Sequence, residues 1–328
     1  MENVEVKMKI VGIDIGKRKF DVALTVQGKV RSKVFENTEQ GHQGLLGWLS
    51  SRGCEPGDTH LCMEATSQYY EALAVAVHEA GYRVSVVNPL QIKAFGESQL
   101  RRQKTDRADA QLIARFCEQQ NPPAWQPPAP QIRELQRLVA RIEAVQQMRV
   151  QELNRRHEAA GAALESVDRI LRVLEEELAS LEKQIRDHID RHPPLREQRD
   201  LLTSIPGIGE RVSMYYQAWL QSERFGNVRQ AVAFVGLSPR QHESGDSVRG
   251  KARVCKVGHA RLRKVLYMPA MSAMRCNPAA KALYERLKAN GKSAKVALCA
   301  VMRKLLHWMF GVLKSRQPFD VQRALAKG

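Results

Sequence analysis

A mixed α/β domain followed by a long helical region is the fold class that this 328-residue sequence predicts. Two observations carry it. Up to about residue 120, short apolar blocks of strand length alternate with longer amphipathic stretches. Beyond the proline-rich stretch "NPPAWQPPAP" the apolar spacing changes to steps of three and four, and no strand-like block of comparable length returns. A hydrophobic content of 43% is enough for real cores, and the length suits two or three domains.

The elements follow in order. "KIVGIDIG" and "KFDVALTV" predict strands, and "KVRSKVFENT" continues the pairing after a turn at Gly28. "GHQGLLGWLSSRG" predicts a short helix closed by Gly53. "THLCMEAT" predicts another strand, "QYYEALAVAVHEAGY" an amphipathic helix ending at Gly81, and "RVSVVNP" a buried strand stopped by Pro89. A longer helix over "DRADAQLIARFCEQQ" ends before Pro122. The prolines that follow can neither continue a helix nor enter a central strand, so they mark a domain boundary.

Next come two apolar stripes. Ile132, Leu135, Val139, Ile142 and Val145 form one, and Val167, Leu171, Leu174, Leu178, Leu181, Ile185 and Ile189 the other. The spacing is that of a coiled-coil seam. The small-residue break at "HEAAGAALES" predicts an antiparallel helical hairpin, or an arm that pairs with another protomer. From about Leu195 the chain reads as helical apart from one polar loop, "QHESGDSVRG".

Charge is distributed unevenly. The net charge is +17, and residues 201–328 carry 23 Lys and Arg against 6 Asp and Glu, the whole of the excess. Basicity confined to one region is the electrostatic footprint of a polyanion partner. No apolar run reaches membrane-spanning length, the N-terminus has no signal-peptide stretch, and the six cysteines form no CxxC pair. These features predict a protein of a reducing cytosol without a membrane partner.

Two acids interrupt apolar strands: Asp14 in "VGIDIG" and Glu64 in "LCMEAT". An ionised group in such a place is costly unless something compensates it. Asp106 and Asp109, in "KTDRADA", lie on one face of a helix start. Four acids brought together would repel unless a hard cation sat among them, and Mg²⁺ prefers oxygen ligands of this kind. Lys104 and Arg107 beside the helical pair suit a site that also receives phosphate. "GIDIGKRKFDVAL" also resembles the first phosphate loop of actin-like and sugar-kinase ATPases, but that fold needs a second loop and an adenosine site that the later chain does not offer.

In the helical region, "LLTSIPGIGERVSMYY" resembles a helix–hairpin–helix, with Gly207 and Gly209 free to turn backbone N–H groups toward a phosphate. Arg249 at the end of the polar loop, and Lys251, Arg253, Lys256, Arg261, Arg263 and Lys264 after it, can neutralise phosphates around it. A neutral serine is a poor nucleophile until a base or metal activates it. The residues alone do not separate Ser244 from Ser247, nor either from an ordinary polar turn.

The chain as a whole resembles the DEDD transposases of the one-ten insertion-sequence family, relatives of the Piv-type DNA invertases and bridge-RNA-guided recombinases. The resemblance rests on "GIDIGKRKFDV", "CMEAT", "VNP", "RQKTDRADA", "IPGIGE", "FVGLSPRQHESGDSVRGKARVCKVGHARLRKVLYMPA" and "ANGKSAKVALCAVMRKL", in the family's order. It implies a RuvC-like, ribonuclease-H-type domain over 1–128, a coiled-coil linker over 129–194 that helps assemble a tetramer, and a mainly helical C-terminal transposase domain over 195–328. It implies that Asp14, Glu64, Asp106 and Asp109 hold Mg²⁺ and that Ser244 is the nucleophile, attacking a DNA phosphate to leave a phosphoserine link. The implied partners are donor and target duplex DNA, a structured bridge RNA that chooses both, and further copies of the chain as a dimer of dimers. The implied location is the bacterial cytoplasm, at the nucleoid when active. Two other readings make different demands: a RuvC-like junction-resolving nuclease in which the serine is only structural, and a non-catalytic nucleic-acid-binding regulator.

Overall fold

A computed structural model describes residues 8–26, 28–65, 68–100, 105–220, 225–240, 243–244, 248–249, 253–255 and 257–326. It divides into two compact units, Met1–Pro128 and Ala129–Gly328.

The first unit is built on a sheet. β1 (Lys9–Ile15), β2 (Lys19–Val26) and β3 (Lys29–Glu36) form an antiparallel meander, with Gly28 at φ 77 in the tight β2–β3 turn. α1 (Glu39–Ser50), β4 (Thr59–Glu64), α2 (Glu71–Glu79) and β5 (Arg83–Val87) follow. β4 pairs parallel to β1 and β5 parallel to β4, giving the order β3-β2-β1-β4-β5. Side chains alternate across a strand. Val11, Ile13 and Ile15 of β1 therefore share one core with Leu45 and Leu49 of α1 and Leu73 and Val77 of α2. The opposite face carries Ile10, Gly12 and Asp14.

The sequence ends β5 at Pro89 and gives no helix there, whereas the structure starts one. Asn88 caps α3 (Pro89–Ser98): its side chain accepts from Leu90 N–H at 2.9 Å, and its own N–H donates to Gln91 Oε1 at 3.3 Å. Proline suits this first helical position because its missing donor is not needed there. α4 (Asp106–Gln120) then covers the Gly12 face, and its Leu112, Ile113 and Phe116 share a second core with Ile10, Cys62 and Ile92. The proline-rich stretch is fastened to β5: Trp125 N–H donates to Val84 O at 2.7 Å, and its buried ring lies edge-on to His78.

The second unit opens with α5 (Pro130–Arg156) and α6 (Gly161–Arg191), an antiparallel pair tied by Arg149–Glu175 at 2.9 Å and Arg156–Asp168 at 2.7 Å. Their stem is not freestanding. Leu135, Val139, Ile142, Leu181, Ile185 and Ile189 lie in one core with the C-terminal helices, whereas Ile170 and Val173, nearer the connecting turn, are exposed. α7 (Pro193–Thr203), α8 (Glu210–Trp219) and α9 (Val228–Val235) come next.

The polar loop is a two-tiered β-hairpin. β6 (Pro239–Arg240) pairs with β9 (Arg253–Val254), and, nested between them in sequence, β7 (Glu243–Ser244) pairs with β8 (Val248–Arg249). Each strand is only two residues long, too short to leave an alternating apolar signal. α10 (Ala260–Val265), α11 (Tyr267–Cys276), α12 (Pro278–Ala289), α13 (Ala294–Ser315) and α14 (Val321–Ala326) complete the chain. α13 corrects one expectation: it is long and apolar enough to cross a bilayer. Its apolar residues are instead core residues, Val301, Leu305, Leu306 and Met309 being buried. All six cysteines are free thiols.

Candidate active site

One residue without a side chain sets the geometry of the acid site. A Cβ on Gly12 would lie 2.2 Å from Ala110 O and 2.3 Å from Ala114 N, so only a hydrogen fits between β1 and α4. This close seating sets the first turn of α4 beside Asp14, two residues along the same face of β1. Thr105 starts the helix, its hydroxyl accepting from Ala108 N–H at 3.2 Å, and Asp106 and Asp109 occupy the first turn. Acids there also complement the positive end of the helix dipole.

The sheet supplies the remaining carboxylates. Asp14 is paired directly with Asp21 across the antiparallel β1–β2 ladder, so both lie on the α4 face. On the other side, Gly12 is in register with Cys62 and Ile13 with Met63, which places Glu64, one residue further, at the same end of the same face. Three neighbouring strands thus present a row of acids to the start of α4.

The electrostatics match. Asp14 is pushed up to about 6 by burial first, then by the negative charge of Asp109, Asp106, Glu64 and Asp21. Asp21, only 8% exposed, is also raised by burial, with Lys19 acting against the shift. Lys19 Nζ lies 3.0 Å from Asp106 Oδ2 and 3.7 Å from Asp21 Oδ2. This is an oxygen-rich donor set of closely spaced carboxylates, the chemistry that suits a hard divalent cation. Among the described residues, however, no three His, Cys, Asp or Glu side chains are gathered closely enough to enclose an ion as they stand.

Sequence alone does not single out Asp21, Lys19 or Gly12. Asp21 gave the same signal as Asp14, an acid inside the apolar strand "KFDVALTV", but only the ladder register shows that the two face each other. Of the basic neighbours, Arg107 is exposed beside the row, and Lys104 lies outside the described residues.

In the second unit the described backbone puts Ser244 at the end of β7, opposite Val248 of β8. Arg249 and Arg253 are on hairpin strands, and Lys251 and Lys256 fall outside the described residues. The base of the hairpin is closed by Cys255 N–H donating to Ser238 O at 2.8 Å, and the chain that follows is held to α9 by His259 N–H donating to Phe234 O at 2.6 Å.

The other basic and glycine positions differ in what they touch. Arg263 Nη1 donates to Val235 O at 2.9 Å, holding the C-terminus of α9, and Arg261 pairs with Glu143 at 3.1 Å. Lys264 is exposed. Gly207, at φ 99, packs against α11: a Cβ there would come 2.7 Å from Ala273 Cβ. That close approach is made to protein. Gly209 is exposed at the N-terminus of α8, which has no side-chain cap, so its end of the corner is the part open to a phosphate.

A sheet-borne acid row in one unit and a strongly basic helical unit beside it in sequence describe an enzyme that acts on nucleic acid. Residues 11–164 match the model of the IS110 DEDD transposases, described as "Transposase", and residues 199–285 match that described as "Transposase IS116/IS110/IS902 family". The chain is 31% identical to the pilin gene-inverting protein of Moraxella bovis over 312 residues, 94% of this chain and 97% of that one. It is 27% identical over 161 residues, 47% of this chain and 38% of the relative, to an uncharacterized protein of insertion element IS110 from Streptomyces coelicolor. The chain belongs to the IS110 family of DEDD transposases. It is a DNA-recombining enzyme, and DNA is its substrate.

Proposed function

We propose that the protein is an RNA-guided recombinase that moves its own insertion element through a covalent protein–DNA link. Its N-terminal unit acts as a RuvC-like domain, a reading supported by the sheet order, by the helix on the acid face and by the acids at the ends of β1 and β4. Asp14, Glu64, Asp106 and Asp109 would hold the ion, and a divalent ion supplies positive charge to a phosphate oxygen as negative charge builds there. The observation that carries the reading is the acid row itself, in register on neighbouring strands, with burial first and the neighbouring carboxylates second raising Asp14 to about 6.

Ser244 is the nucleophile. Its oxygen attacks the DNA phosphorus, the bond to the leaving deoxyribose oxygen breaks, and the proton passes in net from the serine hydroxyl to that oxygen. The phosphoserine ester keeps the energy of the broken phosphodiester, so a new deoxyribose hydroxyl can displace the serine and reseal the strand without an external energy source. A short strand pair on a basic unit suits this role, because the surrounding cations can hold the DNA backbone around it. The gene-inverting role named for the Moraxella relative fits cleavage with rejoining better than cleavage alone.

In this reading the active site is composite, formed as protomers of a tetramer bring serine and acids together on DNA, with the α5–α6 pair helping to assemble it. A bridge RNA pairs with donor and target, leaving shape and charge to the protein. Gly209, Arg107, Arg249, Lys251, Arg253, Lys256, Arg261 and Lys264 contribute to that hold.

The test is a trapping assay with Ser244→Ala and Asp14→Asn. Ser244→Ala should give neither covalent adduct nor recombinant product while still binding nucleic acid, and Asp14→Asn should lose cleavage. Free cut ends and undiminished activity from Ser244→Ala would instead establish the junction-nuclease reading.

A further inference from the structure

α13 and the chain that follows it enclose a cavity that the chemistry proposed above does not use. The helix ends at Arg316 in a left-handed turn (φ 53), and the chain returns to begin α14. The returning segment is held in two places. Phe319 N–H donates to Ser204 Oγ at 2.8 Å, and the Phe319 ring lies edge-on to Trp308 with centroids 5.1 Å apart. The cavity is about 290 Å³, at the small end of ligand sites. Lys304, His307, Trp308 and Gly311 line it from α13, and Phe319 and Arg323 from the returning segment. The Lys304 ammonium stands 5.8 Å from the centroid of the Trp308 ring. Asp320, the one carboxylate of the lining, is engaged at the start of α14, where its Oδ1 accepts the N–H groups of Gln322 and Arg323 at 2.8 and 3.1 Å.

Two features of this cavity are not explained by packing. Glycine is a poor residue inside a helix, and at Gly12 and Gly207 a Cβ would collide with a neighbour, whereas at Gly311 it would meet nothing within 4 Å. A helical side chain covers the turn before its own, so a larger residue at 311 would lie over His307 and Trp308. The missing side chain keeps that space open. His307 is the second feature. Burial first, then Arg303 and Lys304, hold its pKa down, and its Nε2 is buried without a hydrogen-bond partner among the described residues. A turn of the ring toward a polar edge would gain that bond. An aromatic face, an imidazole nitrogen lacking a partner and two cations suit a nucleobase and its phosphate, since bases stack on aromatic side chains while Lys and Arg hold the backbone. Exchanging strands between duplexes breaks base pairs, so an enzyme that recombines DNA meets unpaired bases. We infer that this cavity receives one unpaired nucleotide of a nucleic-acid strand, its base against Trp308 and beside Gly311, its phosphate on Lys304 and Arg323.

The experiment uses the full-length protein with a fluorescein-labelled oligodeoxythymidylate, the duplex of the same strand with its complement, and free thymidine monophosphate as competitor. Gly311→Leu fills the space, and should weaken single-strand binding by about 10-fold, the effect of one stacked base, while duplex affinity stays in place and the thermal midpoint does not fall. Trp308→Leu, with its own midpoint recorded, should weaken single-strand binding to a similar extent. A strand carrying 5-iododeoxyuridine should photo-crosslink to Trp308 in the wild type and lose that crosslink in Gly311→Leu. Unchanged single-strand affinity in Gly311→Leu, an equal loss for the duplex, or crosslinks confined to other residues would overturn the assignment. Displacement of the strand by an equimolar amount of thymidine monophosphate would give the cavity to a free nucleotide and overturn it as well.

Discussion

His259 shows how much one side chain can do at the base of the hairpin. Its Nδ1 accepts the N–H of Leu262 at 3.3 Å, capping α10, and its ring lies between Trp219 and Phe234 with centroids 5.1 and 5.6 Å away. Only neutral imidazole can do this. Burial above all, then Arg261 and Arg263, hold its pKa down to about 4, against about 6.5 in an unfolded chain. Between those values the unfolded chain binds more protons, so stability falls as pH drops from about 6.5 to about 4 and is complete above that window. Thermal midpoints measured across it should decline for the wild type, at a cost on the order of 3 kcal/mol, and decline less for His259→Asn, which keeps an acceptor but does not titrate. An equal decline in both would assign the pH dependence elsewhere. The same scale shows what the sequence could reveal. Asp14 and Glu64 stood out because a charge inside an apolar strand needs a reason. Asp21 and Lys19 were equally visible as residue types, but their meaning depends on cross-strand register and on where α4 docks, and neither is written locally.

Among elements, β1 and α4 form the contact on which the acid site depends, and Gly12 is where it can be broken. The backbone of Gly12 needs no special conformation; its demand is steric, since a methyl group would overlap the backbone of α4 at Ala110 and Ala114. Gly12→Ala should therefore shift the helix, lowering stability by about 1–3 kcal/mol. Recombination should fall by more than that loss of folded protein explains, because the turn bearing Asp106 and Asp109 moves with the helix. A variant with normal activity and an unchanged thermal midpoint would show that α4 does not set the site. Strands and amphipathic helices of this unit were readable because their periodicity spans many residues. α3 is not, because Pro89 reads as the end of β5, although Asn88-Pro89 with Gln91 three residues after the cap is equally a helix start. The two-residue strands of the hairpin left no period at all, and the close contact of Gly207 with Ala273 depends on a helix 66 residues later in the sequence.

At the scale of the whole molecule, the excess of positive charge in residues 201–328 has to be divided between cations that build the fold and cations that are free to meet DNA. Sequence assigns both kinds the same role; structure separates them. Arg263 is half-buried and donates to the last turn of α9, so removing it leaves Val235 O without its donor and should cost about 1–3 kcal/mol. Lys264, its neighbour, is exposed. Duplex binding by the full chain, measured from low to moderate salt, should weaken as a power of salt concentration, because each phosphate neutralised releases a counterion. Lys264→Gln should flatten that dependence by about 0.9 in the slope of log K against log salt and leave the thermal midpoint in place. Arg263→Gln should do the reverse, lowering the midpoint with little change of slope while the protein remains folded. If both variants changed the slope alike, Arg263 would belong to the DNA-facing set despite its bond to α9. The two adjacent residues thus test whether the basicity of this unit is a uniform coating or an arrangement, and the bond to Val235 O argues for an arrangement.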